Sequence, residues 1–252
     1  MNLLLDIGNS RIKWALSGDG EWRSGEPLLR GDKAFKDIAR PAWKELQPPE
    51  RVIVSSVAGD GYNKTVRTWV KRRWKLDAEF LVADESCCGV VNAYRQPERL
   101  GADRWACLLA AHDLYRGPVC IVDCGSAVTI DALAADGRHL GGLIVPGLDM
   151  MMSALTRGAP GIVVGEADGQ EVSLLGRDTA SAVRGGTLYA VVSLLDRVYA
   201  DIAAELGRSM TRVITGGDAE RVLPLLSAAP RHEPEMVLKG LQVYALETAC
   251  VT

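Results

Sequence analysis

One pattern occurs twice in this chain: an apolar strand ends in Asp, turns at a Gly, offers a hydroxyl and returns as a second strand. The first copy runs Leu3-Leu4-Leu5-Asp6-Ile7-Gly8-Asn9-Ser10-Arg11-Ile12-Lys13. The second runs Cys120-Ile121-Val122-Asp123-Cys124-Gly125-Ser126-Ala127-Val128-Thr129-Ile130. With the second turn one residue shorter, Ser10 matches Ser126, Ile12 matches Val128 and Trp14 matches Ile130. A lone Asp-x-Gly hairpin is a common turn in which the Asp does no more than cap the backbone. Two of them, each opening half of the chain, constrain it to a duplicated fold. Hairpins followed by crossover helices imply an α/β class with mixed sheets. The pattern restarts after Gly117-Pro118, so the expected domains are 1–117 and 118–252.

Between the hairpins, residues 51–57 read as a strand, 62–74 as an amphipathic helix and 79–82 as a short strand. Residues 83–100 form an irregular polar stretch that includes Cys87-Cys88-Gly89, and loops of this length often carry function. Gly101-Ala102-Asp103-Arg104 opens a helix to about Tyr115, which Gly117-Pro118 stops. In the second half, 140–145 reads as a strand and 148–156 as a helix, followed by a loop around Ala159-Pro160-Gly161. One long helix is expected over 179–206, and a strand over 212–215 leads into Gly216-Gly217-Asp218. Residues 236–246 read as a short strand and then a helix.

Composition narrows the function classes. The chain has 252 residues and a formal net charge of −3, so it has no global basic field for nucleic acid. Lys71-Arg72-Arg73 with Lys75 reads as a solvated helix face. No run of about 18 uncharged apolar residues is present, so no membrane span is expected. Met1-Asn2 leads straight into a strand without a signal peptide, and the six cysteines show no CxxC or zinc spacing. A reduced, cytoplasmic setting fits these features. His112, His139 and His232 are scattered, and the chain has no GxxxxGK[ST] loop.

The residues themselves suggest phosphate chemistry. Gly8 allows close backbone approach to a phosphate, Asn9 and Ser10 can donate to its oxygens, and Lys13 adds a cation. Asp6 would act on phosphate through Mg²⁺ or its waters. Asp123 and Ser126 repeat the carboxylate and the hydroxyl. Asp103 sits in the first turn of a helix, where the dipole favours an ionised carboxylate. Such a group can take the proton of an attacking hydroxyl. Arg104 beside it can pair bidentately with a substrate carboxylate. Read alone, this segment fits a helix-start Asp with a surface Arg at least as well.

Asp6 to Ser10 with Lys13, Gly101 to Arg104, Asp123 to Ala127 and Gly141-Gly142-Leu143-Ile144-Val145-Pro146-Gly147 together resemble the type III pantothenate kinases. The motifs occur in the family's order along the whole chain. The resemblance implies duplicated ribonuclease H-like domains of the actin-like ATPase superfamily, with a nucleotide cleft between them. It implies transfer of the γ-phosphate of ATP to the primary hydroxyl of pantothenate, the first step of coenzyme A biosynthesis. Asp103 matches the catalytic base. Tyr94, Gly101, Ala102, Asp103, Arg104 and Thr179 match substrate contacts. Asp6, Ile7, Gly8, Asn9, Ser10, Arg11, Ile12 and Lys13, with Ser126, match the ATP site. Asp123 matches the ligand of a monovalent cation, K⁺ or NH₄⁺, and Mg²⁺ accompanies ATP. The family's members are homodimers whose substrate pocket is completed across the interface. Two departures are Ser10 and Ser126, where the family usually has Thr; both keep the hydroxyl.

Two rival readings stand beside this one. The first is a kinase of the same superfamily acting on a sugar or small acid. The second is a regulator or accessory factor that kept the nucleotide-binding fold.

Overall fold

The structure, a computed structural model, describes residues 1–159, 161–162, 164, 175–207 and 209–249. Pro160 of the expected loop and Cys250 lie outside the described residues. In chain order the elements are β1 (Asn2–Ile7), β2 (Arg11–Gly18), β3 (Glu21–Ser24), β4 (Leu28–Leu29), α1 (Phe35–Ala42), β5 (Val52–Ser56), α2 (Asp60–Trp74) and β6 (Ala78–Phe80). Next come β7 (Ser86–Cys87), β8 (Val90–Val91), a 3₁₀ turn (Pro97–Arg99) and α3 (Ala102–Leu114). The second half holds β9 (Val119–Cys124), β10 (Ala127–Leu133), β11 (His139–Pro146), α4 (Leu148–Gly158) and α5 (Thr179–Leu206). It ends with β12 (Thr211–Thr215), α6 (Ala219–Val222), a 3₁₀ turn (Leu223–Leu225), β13 (Arg231–His232) and α7 (Met236–Ala249).

The duplication is visible in the sheets. One has the order β3-β2-β1-β5-β6, with β4 added on β2; the other has the order β11-β10-β9-β12-β13. In both, an antiparallel hairpin is extended by two parallel strands. The registers agree with the expected one-residue offset. Asp6 lies opposite Lys13 in the first hairpin and Asp123 opposite Thr129 in the second, which makes Ser10 and Ser126 equivalent.

The chain divides into two compact units, one of Met1–Arg116, Asp136–Gly141 and Glu235–Thr252, the other of Gly117–Ala135 and Gly142–Pro234. The C-terminal helix α7 packs on α3. Gly240 makes that approach possible, since a Cβ there would overlap the Ala106 carbonyl. Side chains then fasten the helix: Gln242 Nε2 donates to Ser17 Oγ at 2.8 Å, and Arg51 Nη1 donates to the Ala245 carbonyl at 2.9 Å. Residues 236–246 hold no strand, since α7 already begins at Met236. Its buried residues Val237, Leu238, Leu241 and Ala245 recur at the helical period, so the first turn of an apolar helix had read as a strand.

α1, a helix over residues that carried no expectation, has Pro41 inside it, which local propensity disfavours. Tertiary packing forms it instead. Phe35, Ile38 and Ala39 are buried, and Phe35 meets Trp43, Tyr62 and Trp69 in edge and tilted aromatic contacts. α3 is buried from Arg104 through Ala111, as expected of a helix apolar nearly all round. In the second unit, α5 lays Leu188, Val191, Val192, Leu195 and Tyr199 into the core that also holds Val122, Ile130 and Ile214. No helix among the described residues is long and apolar enough to cross a membrane.

Candidate functional site

Residues directly opposite in an antiparallel pair share a face of the sheet. Asp6 and Lys13 therefore stand together at the end of β1–β2, both half-buried, while Ile7 and Ile12 are buried behind them. The turn itself exposes Asn9, Ser10 and Arg11. It is closed by the Gly8 amide, which donates to the Arg11 carbonyl at 3.0 Å. A Cβ at Gly8 would stand 3.3 Å from that carbonyl oxygen, so glycine keeps the turn tight. The whole expected ATP segment, Asp6 to Lys13, thus occupies one strand-turn-strand corner.

Arg30 braces this corner and escaped the sequence reading. Its Nη1 donates to the Gly8 carbonyl at 2.9 Å and to the Asn9 carbonyl at 3.4 Å, and its amide donates to the Ser10 carbonyl at 3.0 Å. The guanidinium lies 4.1 Å from the centre of the Tyr62 ring, a cation–π contact. Burial raises the Tyr62 phenol above its usual range, against the opposing pull of Arg30. No local motif announces an Arg that acts on a turn about twenty residues earlier.

The expected substrate segment, Gly101 to Arg104, lies at the first turn of α3. Asp103 Oδ1 accepts from the Arg104 amide at 2.8 Å, which folds the carboxylate back over the helix start. Gly101 leaves the space: a Cβ there would stand 2.7 Å from Asp103 Oδ1. Arg104 is not the surface residue that the sequence alone allowed; it is only 5% exposed. Its Nη1 donates to the Tyr94 hydroxyl at 2.6 Å. Tyr94 is held in turn, since its amide donates to Asn92 Oδ1 at 3.0 Å and its ring stacks on His139 at 6.2 Å between centres. His139 is buried, and its Nδ1 accepts from the Ala93 amide at 3.5 Å. The sequence reading set His139 aside as a scattered histidine, because the turn of chain that brings it to Tyr94 leaves no local trace.

In the second unit, the equivalent corner carries Asp123, half-buried, and Ser126, exposed. The Gly125 amide donates to the Ala127 carbonyl at 3.1 Å, and the Gly147 amide donates to the Ser126 carbonyl at 3.0 Å. A Cβ on Gly147 would stand 2.6 Å from the Ser126 oxygen, so the start of α4 can close on the turn only as glycine. Gly216 has φ +98°, and a Cβ there would overlap the Cys124 carbonyl and stand 2.5 Å from Asp123 Oδ1. Asp123 Oδ1 and the Cys124 carbonyl thus both face the bare backbone of Gly216. These are hard oxygen donors of the kind alkali and alkaline-earth cations take. Among the described residues no cluster of three or more His, Cys, Asp or Glu could form a closed metal cage. Burial pushes the Cys124 thiol up to about 12, helped by Asp123 and Asp218, so this cysteine is a packing residue.

Thr179 is the first residue of α5 and is exposed. Asp178 caps that helix: its Oδ1 accepts from the Ser181 amide at 2.8 Å, and the Ser181 hydroxyl reaches back to it. These bonds hold the Asp178 carboxyl below its usual range. A lowered folded value means that the cap acts at neutral pH and is lost as pH falls through that value. Asp178→Ala is therefore expected to speed amide hydrogen exchange at Ser181 and Ala182 at neutral pH. Wild type should show the same loosening only in acid; equal exchange in the two proteins at neutral pH would refute the cap.

The duplicated sheet order, with a turn at the end of each first hairpin, defines the actin-like ATPase fold. A Sinorhizobium meliloti structure described as a candidate 2-dehydro-3-deoxygalactonokinase aligns with a TM-score of 0.61 at 16% identity, over 97% of this chain and 98% of its own. A Campylobacter jejuni structure described as a candidate Baf family transcriptional activator aligns with a TM-score of 0.59 at 19% identity, over 98% and 99%. These likenesses show the fold. Within it, the chain belongs to the type III pantothenate kinase family, whose model matches residues 2–201. The type III pantothenate kinase of Nitrosococcus oceani is 44% identical over 100% of this chain and 96% of its own length.

Proposed function

We propose that the protein transfers the γ-phosphate of ATP to the primary hydroxyl of pantothenate, giving 4′-phosphopantothenate and ADP, the first step of coenzyme A biosynthesis. The observation that carries this reading is the pair Asp103–Arg104 on the first turn of one buried helix. Pantothenate offers a hydroxyl and a carboxylate, and the pair supplies a base for one and a cation for the other. Asp103 accepts the hydroxyl proton as that oxygen attacks phosphorus and the bond to the ADP oxygen breaks. Arg104, held by Tyr94, takes the pantothenate carboxylate. Gly101 and Ala102 bring backbone close to the substrate, and Thr179 adds a hydroxyl contact. Asp6 to Lys13 and Ser126 hold ATP. Mg²⁺ at Asp6 and a monovalent cation at Asp123 would neutralise phosphate charge. A coupled assay with ATP, Mg²⁺ and K⁺ tests the activity, and turnover of a sugar in place of pantothenate would overturn it.

Asp123 gives a cation test. Replacing K⁺ or NH₄⁺ by Na⁺ is expected to collapse the rate, and equal rates in Na⁺ would remove the proposed role of Asp123. Gly101 gives a geometric test. Gly101→Ala is expected to lower kcat about tenfold or more with little change in melting temperature, because the new Cβ displaces the Asp103 carboxylate rather than the fold. Unchanged kcat would mean that the folded-back carboxylate is not the working position.

The reading includes a homodimer with the substrate pocket completed across the interface. Leu143 and Ile144 on β11, and Met150 and Leu155 on α4, are 40% exposed or more, an apolar surface that supports it. The protein needs no membrane or nucleic acid for this work and would act in the cytoplasm.

A further inference from the structure

Cys87 and Cys88 take no part in the reaction proposed above, yet their geometry is specific. β7 and β8 pair antiparallel, with Cys87 opposite Val90, so Cys88-Gly89 is a two-residue hairpin loop. Its φ angles are +50° and +79°. Two positive φ values define a type I′ turn, whose usual residues are Asn-Gly or Asp-Gly. The same chain shows the usual solution in the β2–β3 hairpin, where Asp19-Gly20 has φ +53° and +78°. Cys88 therefore stands in a left-handed position that its side chain does nothing to favour.

That position puts the Cys88 sulfur 3.2 Å from the Cys87 sulfur. Both residues are half-buried, whereas Cys107, Cys120 and Cys124 are buried. The turn is also packed from below: a Cβ on Gly89 would stand 2.6 Å from His112 Nε2. Burial, the neighbouring Cys87 and the charges of Glu247 and Asp113 push the Cys88 thiol up to about 12.

We propose that Cys87 and Cys88 form a reversible two-electron redox site, closing to a vicinal disulfide under a peroxide-class oxidant and shifting the loop that carries Tyr94. Either sulfur can start the exchange with the same products, and Cys87 is taken first. Its thiolate sulfur attacks one peroxide oxygen and displaces hydroxide, leaving a Cys87 sulfenic acid. The hydroxide and the thiol proton make one water. The Cys88 sulfur then attacks the Cys87 sulfur, and the sulfenic hydroxyl leaves with the Cys88 proton as a second water. Two thiols are oxidised and one peroxide is reduced to two waters. A dithiol reductant reverses the change by exchange.

The bond is expected to be labile. Adjacent Cα atoms are about 3.8 Å apart, below the roughly 4.4–6.8 Å usual for disulfides. Strained disulfides have the more oxidising potentials typical of regulatory sites. The eight-membered ring includes the Cys87–Cys88 peptide, so closing it changes the turn. β8 transmits the change. The Val91 amide donates to the Gly137 carbonyl, the Asn92 amide donates to the Glu85 carbonyl, and Asn92 then positions Tyr94, which receives the Arg104 hydrogen bond.

The coupling to Tyr94 rests on the substrate reading given above; the covalent change does not. The full-length protein is treated with hydrogen peroxide, its remaining thiols are alkylated, and the peptide bearing both cysteines is weighed. The expected peptide is two hydrogen atoms lighter and unalkylated, and dithiothreitol restores it. Cys88→Asn suits the turn and so keeps the hairpin; its Cys87 should instead gain oxygen. In the oxidised wild type the KM for pantothenate should rise several-fold while the KM for ATP holds, and Cys88→Asn should show no such rise. A wild-type peptide that gains oxygen, or stays fully alkylated, overturns the redox site. A disulfide without any change in pantothenate KM overturns the coupling. Reduced protein that forms the disulfide but never turns over pantothenate overturns the substrate reading alone.

Discussion

Asp103→Asn is expected to lower kcat for pantothenate by about 10²–10⁴-fold, the usual contribution of a positioned general base. The substitution keeps the shape of the side chain and an oxygen that can still accept from the Arg104 amide. It removes the negative charge and with it the capacity to take a proton. Arg104 stays buried and bound to Tyr94, so the KM for pantothenate should change little, and the melting temperature should hold. An interaction used only in the transition state lowers kcat and kcat/KM together. Steady-state kinetics on the folded variant decide the matter. Full turnover would show that the hydroxyl loses its proton elsewhere, and a large rise in KM alone would recast Asp103 as a binding residue.

The elements that were legible in the sequence are those with a local cause. The two hairpins could be aligned because strand, Asp, Gly and hydroxyl follow one another, and the observed registers keep that alignment. The start of α3 was legible because Gly101 precedes a run that is apolar nearly all round. α5 was read over the residues it occupies, Thr179–Leu206. What could not be read depends on distant chain. α1 forms around Phe35 in spite of Pro41, because aromatic residues from α2 receive it. Arg30 reaches the Gly8 turn, and His139 reaches Tyr94, only after the sheet has formed. Arg104 illustrates the limit best. Its type and position suggested a carboxylate partner, but its burial and its bond to Tyr94 come from the packing of α3, which no local spacing records.

Gly240→Ala should be the most destabilising of the conservative changes, although helix propensity alone argues the opposite. In a solvent-exposed helix, replacing Gly by Ala gains about 1 kcal/mol. Here the new Cβ would overlap the Ala106 carbonyl and stand 2.8 Å from the Ala106 Cα. These are backbone atoms of a buried helix and cannot rotate away, so α7 must move off α3. Overpacking of this kind costs about 1–3 kcal/mol, which exceeds the propensity gain over most of that range and pulls against the Gln242 and Arg51 hydrogen bonds as well. Gly186→Ala is the matched control. Gly186 also lies within a helix, is exposed, and has nothing within 4 Å of an added Cβ, so it should raise the melting temperature. Thermal unfolding of the two variants should therefore move in opposite directions from the same substitution. If both rise, α7 is not held at contact distance on α3. Since the first turn of α3 carries Asp103, the displaced helix should also slow pantothenate turnover below the melting transition, whereas Gly186→Ala should leave it unchanged.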